Sequence, residues 1–94
     1  MPKRFPPLTP LDVERILKAR GFVLERSVGS HYQYQGMVRG VSRRVTVMAS
    51  VGQYDDRLIK YMISQSGLTR EEFYGATKAT ARKIGLRQVV ELKD

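Results

Sequence analysis

The chain contains no cysteine and only one histidine, His31. Without thiols there is no disulfide, no thiolate nucleophile and no zinc–thiolate site. A single imidazole excludes a multi-histidine metal site, so any metal would have to be a hard ion held by oxygen. No apolar run approaches the ~18–20 residues of a membrane span. The longest, Val45 to Val51, is interrupted by Thr46 and Ser50. Lys3 and Arg4 lead into Phe5-Pro6-Pro7 rather than an apolar stretch, so no secretory signal is read. The expected location is the cytoplasm, with no membrane partner. Glycine-rich phosphate loops and dinucleotide fingerprints are missing too. Acidic residues are absent from one whole block, residues 27–54, which also holds the histidine.

What is present suits one small domain. The chain has 94 residues, enough for a thin, single-layered core. Its 41% hydrophobic content is ordinary for a folded protein. Lysine and arginine number 17 against 9 acids, a formal charge of +8. The placement says more than the total. Residues 1–26 carry an excess of three positive charges, 27–54 another three (Arg39, Arg43 and Arg44, with no acid), 55–81 none, and 82–94 two. An acid-free surface beside a titratable group suits a polyanion such as nucleic acid, or an acidic protein partner.

The pattern along the chain predicts an α+β fold in the order α-β-β-β-α-α, a two-layer sandwich of three antiparallel strands with helices on one face. Residues 1–8 hold three prolines and read as an extended arm. Thr9 caps a first helix over Pro10–Arg20, with Asp12 closing a capping box and Gly21 ending it. Phe22–Ser27 is a strand, Gly29-Ser30 a tight turn and His31–Gln35 a second strand. Gly36–Ser42, with its two glycines, reads as a hairpin loop, and Arg43–Ser50 as the third strand. Tyr32, Tyr34, Val45, Val47 and Ala49 share an expected core face. His31, Gln33, Gln35, Arg44, Thr46 and Met48 share the wet one. Asp55 and Asp56 open a helix that ends at Gly67. Thr69 and Glu72 form a second capping box, opening a single helix from about Arg70 to Ile84 in which Gly75 is a weak point. The organisation is therefore an arm (1–8), one domain (9–85) and a tail (86–94) whose Val89 and Val90 could pack, pair as an edge strand or meet a partner.

Few residues are equipped for chemistry. Asp55-Asp56 and Glu71-Glu72 could hold Mg²⁺, but acids in those positions more simply complement helix N-termini. His31 follows a Gly-Ser turn and opens a strand on the wet face. Arg26, Arg43 and Arg44 lie on the neighbouring strands, and Gln33 is one pleat away. An imidazole titrates near neutral pH and can carry a proton in either direction. RNA supplies its own nucleophile, the 2′-hydroxyl, so a positioned histidine with arginines for the phosphate suffices without metal or cofactor. Taken alone, an isolated histidine is more simply read as an inert surface residue. Tyr54, just before the second helix, is the tyrosine expected to stack on a base.

The stretch Arg26-Ser27-Val28-Gly29-Ser30-His31-Tyr32-Gln33-Tyr34 resembles the HicA family, the RNA-cleaving toxins of bacterial HicA–HicB toxin–antitoxin pairs. The likeness extends to Val13…Ile16-Leu17 and Gly21-Phe22 upstream. Downstream it takes in Arg43-Arg44-Val45-Thr46-Val47, Leu58-Ile59…Met62-Ile63 and Ser66 to Phe73. The resemblance implies a fold like the double-stranded RNA-binding domain and metal-independent cleavage of mRNA using His31. It also implies a HicB-like antitoxin covering the active face. Gly29 and Ser30 match the motif turn, where Ser30 would hold the turn or touch phosphate, and Arg26 matches the basic residue before it. Two positions depart from the family. Tyr32 stands where a second histidine is often found, and Ala49-Ser50 where many members have another. Two other readings therefore stay open: an inactive RNA-binding relative using the same face, and a protein-interaction domain.

Overall fold

The computed structural model describes residues 4–92. Met1–Lys3 of the expected arm and Lys93–Asp94 of the expected tail lie outside the described residues. The first helix, α1 (Pro10–Ala19), starts as its sequence dictates: Thr9 Oγ1 accepts from the Asp12 N–H while Asp12 Oδ2 accepts from the Thr9 N–H. Val13, Ile16 and Leu17 are its buried stripe. At its end the Phe22 N–H reaches back to the Leu17 carbonyl and the Gly21 N–H to that of Lys18, a Schellman stop that folds Phe22 into the core.

Strands β1 (Val23–Val28), β2 (His31–Val38) and β3 (Val41–Met48) form one antiparallel sheet in that order. The Gly29-Ser30 turn is as expected, but the second hairpin is much tighter than the sequence suggests. In place of a loop over Gly36–Ser42, both strands run on to a two-residue turn at Arg39-Gly40. Both turn residues have positive φ, the geometry that matches the natural twist of paired strands. Arg39 is held there through its guanidinium, which donates to the Glu72 carboxylate and the Gly67 carbonyl. Gly36 is therefore a strand residue. Its missing side chain leaves room for the Phe22 ring, which a Cβ at this position would meet at 2.8 Å.

Tyr34, Val38, Val45 and Val47 bury one face of the sheet against the apolar sides of the helices. In α2 (Asp56–Ser66) these are Ile59 and Met62, with Asp55 as its N-cap and Gly67 as its left-handed stop. Helix α2 also reaches beyond that layer. It runs along the open edge of β3, where Gln65 Oε1 accepts from the Thr46 N–H at 3.3 Å. It thus touches the wet side of the sheet as well as the core.

The predicted single helix over Arg70–Ile84 is two: α3 (Arg70–Tyr74) and α4 (Lys78–Lys83). The Thr69–Glu72 capping box forms as expected. Thr77 then caps a new helix, and Thr80 Oγ1 donates to the Tyr74 carbonyl at 2.6 Å, satisfying a group the break would orphan. The gap receives the tail, where the Val90 N–H donates to the Gly75 carbonyl at 2.8 Å. Arg20, half-buried, donates to the carbonyls of both Glu72 and Val90. Burial lowers the Arg20 pKa, and the Glu72 charge partly offsets that.

The described residues of the arm, 4–8, belong to the body of the protein. Leu8 is fully buried and bridges to Tyr54, whose N–H donates to the Leu8 carbonyl at 2.8 Å. Tyr74 Oη donates to the Pro6 carbonyl and Arg70 to that of Arg4. Among the described residues, no helix is long and apolar enough to cross a membrane.

Candidate functional site

His31 opens β2 directly after the turn at Gly29 (φ +58°), and its side chain is exposed. Cross-strand register sets its neighbours. Val28 and Met48 flank it, while Arg26, Gln33 and Thr46 form the next row on the same face. Arg26 is there because of an irregularity. Continuing the Leu24–Tyr34 register without interruption would put residue 26 opposite Tyr32, on the core side. The bulge between Leu24 and Arg26 shifts the pairing by one, so Arg26 faces Gln33 and turns to the wet side with His31. Ser30 supports the turn through its carbonyl, which accepts from the Ala49 N–H at 2.7 Å.

The two arginines of β3 are separated by the pleat. Arg44 stays on the wet face, ion-paired at 2.9 Å with Glu25 of the bulge. Arg43, counted at the outset with the site, is paired with Gly36 and lies on the helix side. Its Nε is buried without a hydrogen-bond partner, against the spot where a Gly67 side chain would project. The parity that puts Val45 and Val47 in the core already placed Arg43 with them.

Beside His31 the edge position of α2 creates a cleft of about 440 Å³. Its floor is apolar, made by Met48, Leu58, Met62 and the ring of Tyr54, and its rim carries His31, Thr46, Arg57, Tyr61 and Gln65. No carboxylate lines it. Arg57, Tyr61 and Gln65 escaped the sequence reading, although their four-residue spacing marks them as one stripe of α2. The missing information was the direction in which that stripe faces. Tyr54, expected to stack on a base, is instead 1% exposed, and its hydroxyl donates to the Met48 carbonyl at 2.8 Å. Burial, helped by the charge of Glu14, pushes its phenol up to about 12. Tyr61, 64% exposed, is the aromatic available at this cleft.

A second, larger cleft of about 580 Å³ lies on the far side of Tyr54. Arg4 and Lys60 line it together with Asp55 and Asp56. The Phe5 ring there is already approached by Arg4, Lys60 and Arg70 at 5.2–5.9 Å. Its mixed charge and engaged ring make it the poorer receptor for an anion, despite its size. Among the described residues, no three histidine or acidic side chains converge as a metal site. Asp55 and Glu72 spend their carboxylates on helix caps. A scan against protein-family models finds no match to this chain, and a search of curated proteins finds none.

Proposed function

We propose that the chain is a metal-independent endoribonuclease resembling the HicA toxins, built on a fold like the double-stranded RNA-binding domain. The observation that carries this reading is the position of the sole histidine. His31 stands at the rim of a cleft with Arg57 and no carboxylate in its lining. Arg26 and Arg44 share its sheet face.

The chemistry follows from what an RNA strand brings with it. His31, as the neutral imidazole, takes the proton of a ribose 2′-hydroxyl. The 2′-oxygen attacks the adjacent phosphorus, and the bond from phosphorus to the 5′-oxygen breaks. The leaving oxygen takes a proton from water, and the hydroxide so formed takes back the proton that His31 acquired. The products are a 2′,3′-cyclic phosphate and a 5′-hydroxyl. Arg57, with Arg26, offsets the charge that builds on the non-bridging oxygens. Substrate and partner follow from the same resemblance: mRNA, and a HicB-like antitoxin that covers this face, in the cytoplasm.

The rival reading is a non-catalytic RNA-binding module using the same surface. It is favoured by Tyr32, which stands where a second imidazole is common in the family and pairs with Val47 on the core side. Incubation of the protein with mRNA in EDTA, beside a His31→Ala variant, separates the two. Cleavage that falls by ~10²–10⁴ in the variant is expected for a general base. Equal cleavage by both would remove His31 from the mechanism. Salt-sensitive RNA binding without cleavage by either would establish the module instead.

A further inference from the structure

We propose that the cleft between β3 and α2 is a receptor for one unpaired nucleobase, seated beside His31 and stacked on Tyr61. The inference rests on RNA being the ligand of this face, and it adds which part of the RNA enters and in what state. Tyr61 is 64% exposed on the rim of a concave site, so much of its ring is open to a flat ligand. The floor below it is apolar through Met48, Leu58 and Met62, which suits the faces of a flat heterocycle. The polar rim suits its edge. Gln65 commits its carbonyl oxygen to the Thr46 N–H, so its amide nitrogen offers donors to a base carbonyl or ring nitrogen. Arg57, one turn before Tyr61 on the same helix stripe, is placed for the phosphate attached to that base.

The cleft holds about 440 Å³, room for a nucleobase with part of its sugar. A duplex keeps its bases stacked and paired and cannot present a ring face to a phenol, whereas a single strand can. The bound state is therefore single-stranded at this position.

The test uses His31→Ala protein, so that RNA stays intact, and fluorescence anisotropy with three probes of about twelve nucleotides. The probes are a single-stranded RNA, the same sequence in a duplex, and a strand of abasic residues. The single strand is expected to bind tightest. Adding Tyr61→Ala should weaken it about tenfold while leaving the duplex and abasic probes unchanged, and Tyr61→Phe should bind like its parent. Duplex binding as tight as single-strand binding, or a Tyr61→Ala effect within about twofold, would overturn the base receptor. If cleavage by the otherwise unaltered protein still depends on His31, the nuclease reading survives that result. Absence of binding to all three probes at low salt would sink both.

Discussion

A methyl group at position 36 would land 2.8 Å from Phe22 Cγ and 3.0 Å from both ring carbons beside it. Phe22 is itself 2% exposed and fixed by the helix stop that precedes it, so the ring has little room to yield. Gly36→Ala should cost ~1–3 kcal/mol, the range of overpacking a formed core. A lowered urea midpoint at unchanged slope would report it. An unmoved midpoint would mean that the ring swings aside. The same glycine shows where residue-scale reading stops. A glycine that follows an alternating strand and has another four residues on looks like a turn, and the ring that needs its missing side chain comes from a residue fourteen positions earlier. His31 was legible because a Gly-Ser turn and an alternating strand are local signals. Arg26 reached the right face for a reason that no alternation contains, the bulge. Arg43 was misassigned against an alternation that was already visible. Tyr61 was invisible as a site residue because α2 had first to be set against the edge of β3.

The capping boxes at Thr9 and Thr69, the Asp55 cap and the stops at Gly21 and Gly67 were all readable, since each is settled within a few residues. The break between α3 and α4 was not. Phe73, Ala76 and Thr80 are all buried, as the single-helix reading required, yet Phe73 belongs to α3, Thr80 to α4 and Ala76 to the turn between them. What favours the break is the pair of partners it gains: the Thr80 hydroxyl on the Tyr74 carbonyl, and the Val90 N–H on that of Gly75. Thr80→Val keeps the side-chain shape and removes the hydroxyl, leaving a buried carbonyl short of its donor. A loss of ~1–3 kcal/mol is expected, together with faster amide exchange at Val90. Unchanged exchange there would show that the tail docks independently of the break.

On the scale of the whole molecule, the α+β class and the three-stranded antiparallel sheet were legible because helical and strand periodicities do not overlap in this chain. The docking of the arm was not, since Leu8 meets Tyr54 across forty-six residues of sequence. Three tyrosines knit the body together. Burial raises the phenols of Tyr34, Tyr54 and Tyr74, with Glu14 adding to the first two and Arg70 opposing the last. A phenol raised in the folded state stays protonated where the unfolded chain has begun to ionise. Its contribution is complete below about pH 10 and is lost as pH climbs toward the folded value. For Tyr54 that window runs up to about 12. Tyrosinate absorbance from Tyr54 should emerge together with loss of helical circular dichroism, and Tyr54→Phe should flatten that alkaline limb. A phenolate forming near pH 10 in an intact fold would contradict the burial of Tyr54.

Both ends of the described chain are tied to one short helix. Arg4 and Pro6 are held by Arg70 and Tyr74, and Val90 by Gly75 just beyond them. During synthesis the first of these residues leaves the ribosome long before the last. The arm has no hold on Tyr74 until some seventy residues have followed it, and Arg20 cannot reach the Val90 carbonyl until about seventy have followed Arg20. Closure comes only once Val90 has been made, after every residue that lines the cleft beside His31.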